Sequence, residues 1–195
     1  MLICGLDEAG RGPLAGPVVT AAVVLDNQFL IEGIKDSKQL AASKREYLFE
    51  EIVRHALWWD VAIIQNDIID KMNITAATML GFQKNLQKLN LTGVELLVDG
   101  NYFKLPKMER LKFPYKTIVA GDRLIYQISA ASIVAKVTRD RIMEEYHFKY
   151  PLYGFNKHKG YPTKQHIDNI KRFGICDIHR RTFCNKYVQK INDQY

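Results

Sequence analysis

The 195-residue sequence predicts an α/β fold with a mixed central sheet flanked by helices and a helical C-terminal region. Three observations carry that expectation. Short apolar runs of strand length open the chain, and further such runs then alternate with longer stretches of helical periodicity. Two of these runs end in a carboxylate, at Asp7 and Asp99, and a third is followed closely by Gly121-Asp122. In open α/β sheets the carboxyl ends of strands are where ligands collect. The composition, 47% apolar and 25% charged, is that of a chain able to bury a core, and one domain over residues 1–195 is expected at this length.

Taken in order, residues 2–6 and 18–25 read as paired strands joined by the Gly/Pro-rich turn from Gly10 to Pro17. Ser43-Lys44-Arg45-Glu46 has the pattern of a capping box opening a helix to about His55, with Leu48, Phe49, Ile52, Val53 and Ala56 inward. Residues 57–64 read as a strand and 73–89 as a helix. Residues 94–99 form a strand stopped by Gly100, and 116–120 a short strand. A single long helix is expected over 124–147, with Ile125, Ile128, Ala131, Ala135 and Ile142 facing the core. Residues 163–173 form a further helix closed by Gly174.

The net charge of +7 is unevenly placed. Residues 136–190 hold 13 Lys or Arg against 5 Asp or Glu, whereas the rest of the chain holds 15 against 16. A basic last third on an otherwise neutral chain is the footprint expected for a polyanion, and a solvated basic face is the plainer alternative. No run approaches the roughly 18 apolar residues of a membrane span, and the N-terminus lacks the pattern of a secretory signal. The three cysteines, Cys4, Cys176 and Cys184, match no zinc spacing. A cytoplasmic location is expected.

Asp7-Glu8 is the pair that demands an explanation. Two adjacent carboxylates at the end of a buried strand repel each other and resist desolvation, and a divalent cation relieves both. With Asp99 and Asp122 they make an all-oxygen set suited to Mg²⁺ or Mn²⁺. Two such ions hold the attacking and leaving oxygens of a phosphoryl displacement. Turn chemistry competes for Asp99, and a helix cap competes for Asp122.

Asp7-Glu8-Ala9-Gly10-Arg11-Gly12-Pro13, Asp36-Ser37-Lys38, Asp99-Gly100-Asn101 and Gly121-Asp122 together resemble the signatures of bacterial ribonuclease HII. So do the run from Ile128 to Asp140, Tyr153-Gly154-Phe155, the stretch from His158 to Thr163 and that from His179 to Phe183. The resemblance runs in order from residue 2 to about 187. It implies a ribonuclease H-like fold and a metal-dependent endonuclease that cuts the RNA strand of RNA–DNA hybrids. It also implies cutting 5′ of single ribonucleotides embedded in duplex DNA, leaving 3′-hydroxyl and 5′-phosphate ends. The family's four acidic positions fall on Asp7, Glu8, Asp99 and Asp122, with Asp7, Glu8 and Asp99 as metal ligands. Its glycine-arginine-glycine loop falls on Gly10, Arg11 and Gly12, and its junction-sensing tyrosine on Tyr161. Ribonuclease HIII carries an extra N-terminal domain, and a chain beginning at its first strand fits HII. Ala120 stands where some members carry a basic residue. The expected partners are RNA–DNA hybrid and ribonucleotide-containing duplex DNA, with no membrane; a monomer is expected.

The residue types suit these roles. The 2′-hydroxyl separates RNA from DNA, and two glycines let backbone groups approach it. Arg11 has two readings, a phosphate contact or a partner for a nearby carboxylate. Lys38 suits a phosphate as a point charge, and Tyr161 offers a ring for a sugar or base. His158 is a candidate phosphate contact, while His166 and His179 read as surface or core histidines. A binding module without catalysis has no need of four converging acids. A dinucleotide site is the weaker rival, because Pro13 and the acids that precede the glycine turn break its fingerprint.

Overall fold

The computed structural model describes residues 1–26, 30–34, 40–106 and 113–192. Its strands are β1 (Leu2–Ala9), β2 (Val18–Val24), β3 (Trp58–Ile64), β4 (Val94–Asp99) and β5 (Tyr115–Ile118). They form one sheet in the order β3-β2-β1-β4-β5. β1 pairs antiparallel with β2, with Asp7 opposite Ala21, and parallel with β4, with Leu6 opposite Val98. β4 and β5 are also parallel, Asp99 pairing with Ile118. The sheet is therefore mixed, as the strand pattern anticipates, and the carboxyl ends of β1 and β4 lie side by side.

The helices are α1 (Ala42–His55), α2 (Asn66–Met72), α3 (Ile74–Lys88), α4 (Gly121–Leu124), α5 (Tyr126–Lys149), α6 (Phe155–His158), α7 (Lys164–Phe173) and α8 (Arg181–Asn192). Strand alternation sorts them onto the two faces. Cys4, Leu6, Leu96 and Val98 pack with Met79, Phe82 and Leu86 of α3. On the opposite face Val19, Ala21 and Val23 pack with Leu48, Phe49 and Ile52 of α1 and with the small residues Ala130, Ala131 and Ala135 of α5. Gly5 also faces α5, so closely that an added Cβ would overlap the Gln127 backbone carbonyl.

Three local readings differ from the sequence expectation. Helix α1 starts at Ala42, with Arg45 N–H bonding the Ala41 carbonyl at 3.0 Å, so Ser43 already lies inside the first turn and caps nothing. The long helix is interrupted at its start: Ile125 is extended (φ −121°, ψ 120°) and separates the single turn α4 from α5. Helix α2, only two turns long, has no counterpart in the sequence reading; α8 falls in the expected helical C-terminal region but is not placed there as an element, and its N-terminal Arg181 and Thr182 N–H groups are capped at 2.8 and 3.0 Å by Asp70 of α2. The C-terminal helices have their own apolar cluster, in which Phe155, Ile170, Ile178 and Cys184 meet Leu14 and Ala15 of the β1–β2 loop and Met143 of α5. Among the described residues no helix is long and apolar enough to cross a membrane.

Gly5 is the point at which helix and sheet touch most closely. Gly5→Ala is expected to destabilise the fold by about 3 kcal/mol or more, the upper end of core overpacking, because the obstructing atoms are backbone. Urea denaturation of the variant beside the wild type measures it.

Candidate active site

The parallel pairing of β1 with β4 brings Asp7 and Asp99 level at adjacent strand ends, both on the α5 face. They line a cavity of about 240 Å³ together with Glu8, Ala9, Gly10, Arg11, Gly12, Ser132, Lys136 and Tyr161. Asp7 is 5% exposed. Burial raises its carboxyl well above the usual range, and the negative charges of Glu8 and Asp99 raise it further. A Ser132 hydroxyl and the Glu8 N–H, 2.7 Å from Oδ1, act in the opposite direction. Asp99 Oδ1 accepts the Gly121 N–H at 2.7 Å and lies 3.4 Å from the Asp122 N. The strand-end carboxylate thus also holds the turn that leads into α4.

Asp122 is 3% exposed and does not belong to the cavity wall. It caps no helix: Ala120, in the left-handed conformation (φ 56°), is the cap residue of α4, and Ile125 that of α5. Its carbonyl accepts the Ser129 hydroxyl at 2.8 Å. The structure therefore gathers Asp7, Glu8 and Asp99 around one space and brings the Asp122 backbone next to Asp99 through the turn that leads into α4. Among the described residues no three carboxylate, histidine or cysteine side chains form a ready-made metal cage. The donor set nonetheless fits a divalent cation: three carboxylates meet at one mouth, and the repulsion that raises Asp7 is what such an ion relieves.

The loop after β1 forms the opposite wall. Arg11 pairs with Glu8 at 3.2 Å and reaches Thr75 Oγ1 at 3.4 Å, with its side chain still half exposed. Of its two readings, the carboxylate pairing is the one seen. Gly10 has φ +99°, and an added Cβ there would overlap the Arg139 side chain. Lys38 lies outside the described residues.

Tyr161, 42% exposed, stands across the cavity from the carboxylates, and a Cβ on Gly12 would lie 3.7 Å from its ring. Its backbone rests on a chain of imidazoles. A carbonyl only accepts, so His166 Nδ1 donates to Tyr161 O at 3.0 Å, and His166 Nε2 must then accept from His179 Nε2 at 3.0 Å. His179 Nδ1 in turn accepts the Cys176 N–H at 2.9 Å. Each ring is neutral, with one donor and one acceptor. Burial lowers both pKa values to about 4; the neighbouring His158 ring adds to both depressions, and His166 adds to that of His179. The phosphate-contact reading of His158 is corrected: its Nε2 donates to Tyr153 O at 2.8 Å and its Nδ1 accepts the Gly160 N–H at 3.2 Å, leaving no ring nitrogen for substrate.

Sequence reasoning missed Ser132 and Lys136, which follow the inward-facing Ala131 and Ala135 and so flank the same helical stripe at i, i+4. That spacing was the available signal. Lys136 donates to Asp140 Oδ1 at 2.8 Å, and burial lowers its pKa. It also missed the buried Arg139 and Arg180, for which no local pattern exists.

The model of the ribonuclease HII family matches residues 4–186. A ribonuclease HII of Caldicellulosiruptor bescii is 50% identical over 181 residues, covering 93% of this chain and 85% of the relative. One of Francisella tularensis subsp. novicida is 48% identical over 183 residues, covering 94% and 96%. The crystal structure of ribonuclease H2 from Pyrococcus horikoshii OT3 is similar with a TM-score of 0.78 and 29% identity, covering 100% of both chains.

Two predictions follow from this geometry. Asp7→Asn keeps an acceptor for Glu8 N–H and removes the repelled charge. Because the folded-state pKa is raised, the group costs stability at pH values above the ordinary carboxylate range, where the unfolded chain has lost that proton, so the variant melts higher than wild type at neutral pH without metal. A lower melting temperature contradicts the repulsion. For His166 and His179 the sign is opposite. Their folded pKa values are depressed, so their contribution is complete above about pH 6.5 and is lost as pH falls towards 4, where only the unfolded chain takes up protons. Denaturant titrations between pH 7 and 5 are expected to show a steeper loss for wild type than for His166→Gln.

Proposed function

The chain belongs to the ribonuclease HII family, and from that premise we propose how its residues divide the work of cutting the RNA strand of an RNA–DNA hybrid. It is a divalent-metal-dependent endoribonuclease. The observation that carries the assignment of residues is the convergence of Asp7, Glu8 and Asp99 with the Gly10–Gly12 loop and Tyr161 on one cavity.

Asp7, Glu8 and Asp99 would hold the divalent cations, Mg²⁺ or Mn²⁺, with Asp122 as the fourth acid of the set. When bound, the metal supplies Lewis-acid stabilisation of the charge that develops on the phosphate. Ser132 fixes the orientation of the Asp7 carboxylate. Arg11, which pairs with Glu8 and stays half exposed, and Lys136, at the cavity wall, would supply positive charge to the phosphates. Lys38 extends that role in the segment beyond the described residues. The Gly10–Gly12 backbone meets the 2′-hydroxyl, the group that marks the strand to be cut. Tyr161 stacks on the sugar or base at the ribonucleotide–deoxyribonucleotide junction, which gives cleavage 5′ of single ribonucleotides in duplex DNA. The basic stretch 136–190 binds the flanking duplex, with the whole chain acting as one monomeric catalytic domain in the cytoplasm.

Cleavage of a duplex containing one ribonucleotide, with Mg²⁺, Mn²⁺ or EDTA, tests the activity. For the residue roles, Tyr161→Ala is expected to cost about 1–3 kcal/mol in kcat/KM on that substrate, the range of base–aromatic stacking, and less on a long hybrid. Tyr161→Phe retains most of the activity on both. Equal losses on the two substrates, in step with a fall in melting temperature, would sink the junction role.

A further inference from the structure

Arg139 and Arg180 are the two largest fully buried side chains, at 1% and 0% exposure. Among the described residues neither lies within ion-pair distance of a carboxylate. Their donors go instead to backbone carbonyls of two segments that border the cavity. Arg180 Nε bonds Gly16 O at 3.0 Å, its Nη1 bonds Arg11 O at 2.9 Å, and its Nη2 bonds Gly10 O at 2.6 Å and Pro17 O at 3.1 Å. Arg139 Nε bonds Pro17 O at 2.9 Å and its Nη2 bonds Ala15 O at 3.1 Å, while its Nη1 crosses to Lys159 O at 2.9 Å. The guanidinium carbon of Arg139 lies 6.0 Å from the Tyr161 ring centroid.

The chemistry explains why arginine stands here. The loop from Gly10 to Pro17 leaves one strand and enters the next, so most of its carbonyls lack sheet partners, and buried carbonyls need donors. A guanidinium offers five N–H groups in a rigid fork and so specifies where several carbonyls sit at once. Burial makes this pair costly to keep charged: it lowers Arg139 to about 10 and Arg180 to about 9, and Arg139 depresses Arg180 further. Buried charge with no carboxylate within ion-pair distance is a poor way to gain stability, since apolar packing does as well or better. The two arginines also divide the work. Arg180 holds the first loop alone, whereas Arg139 ties that loop to the segment carrying Tyr161, alongside the Leu14 N–H to Gly160 O bond of 2.8 Å.

We propose that Arg139 and Arg180 are positioning residues for substrate recognition: Arg180 shapes the Gly10–Gly12 backbone, and Arg139 sets the spacing between that backbone and Tyr161. The inference rests on the junction role of Tyr161 and the 2′-hydroxyl role of the loop proposed above. Arg180→Lys keeps the charge but loses the fork, and lowers kcat/KM equally on a single embedded ribonucleotide and on a long hybrid, because both present a 2′-hydroxyl. Arg139→Lys misplaces the junction contact and lowers the single-ribonucleotide rate more than the hybrid rate.

The test is kcat/KM on both substrates for Arg139→Lys, Arg180→Lys, Tyr161→Ala and the Arg139→Lys/Tyr161→Ala double variant, with melting temperatures alongside. The expected result is a selectivity loss of about fivefold or more for Arg139→Lys, within the range of a stacking contact. The double variant is expected to show no selectivity loss beyond that of Tyr161→Ala alone. If Tyr161→Ala discriminates between substrates and Arg139→Lys does not, the positioning role is overturned while the junction role stands. If Tyr161→Ala itself loses equally on both, the junction role falls and takes this inference with it. Should Arg139→Lys fail to fold, Gly160→Ala disturbs the same seam and leaves both arginines in place, since its Cβ would stand 2.6 Å from Ala15 O. The same selectivity loss is then expected, and an equal loss on both substrates overturns the proposal.

Discussion

Everything around the cavity depends on how closely α5 lies against β1. Gly5 has no side chain, so the helix backbone at Gln127 comes down onto the strand, and the two then run on together. Five residues of strand from Gly5 to Gly10 cover roughly 16 Å, and the twelve helical residues from Gln127 to Arg139 roughly 18 Å. The helix therefore delivers one side chain after another to successive points along β1 and its loop. Ser132 meets Asp7, Lys136 reaches the cavity wall, and Arg139 lies under Gly10. Met143 closes the series beneath Gly16. The small residues of α5 permit that approach, and a bulkier stripe would lift the whole series away from the strand.

The electrostatics of the site are split between two layers. Carboxylates crowd the mouth, where burial and then their repulsion raise Asp7, and guanidiniums bonded to backbone carbonyls lie beneath the adjoining loop. Neither layer is at its own electrostatic optimum. The acids are relieved by a divalent cation, and the arginines are held by oriented carbonyl dipoles that supply partial negative charge without a counter-ion. The imidazole chain from Cys176 to Tyr161 is a third arrangement, neutral throughout: protonating His166 would set its Nε2–H against that of His179 at 3.0 Å, and protonating His179 would set its Nδ1–H against the Cys176 N–H at 2.9 Å.

Much of this was legible in the residues. The strand ends at Asp7 and Asp99 announce themselves because an apolar run stops at a carboxylate, and the helix over 163–173 because Thr163 and Gly174 bracket it, as they do in the structure. The elements that escaped notice are those whose formation is not local. Helix α2 is two turns long, and α8 is apolar on a face that matters only once it meets Leu14 and Ala15. The capping box at Ser43 failed for a related reason. Its residue types were right, but the helix begins at Ala42, so no extended serine was available to cap it.

The sequence by itself determined the α/β class, the strands that end in acids, the glycine-rich turn and the basic last third. Each of these is written in neighbouring residues as periodicity, composition or a run of motif. Only the tertiary structure decided that Asp7, Glu8 and Asp99 line one cavity, that both nitrogens of His158 are spent on the backbone, and that two arginines 41 residues apart hold the same loop. The physical reason is the range of the interactions. A carbonyl that needs a donor imposes no local pattern on the donor's position in the chain, and Arg180 reaches Gly10 across a sequence separation of 170. Such a pairing comes into existence only when the chain has folded.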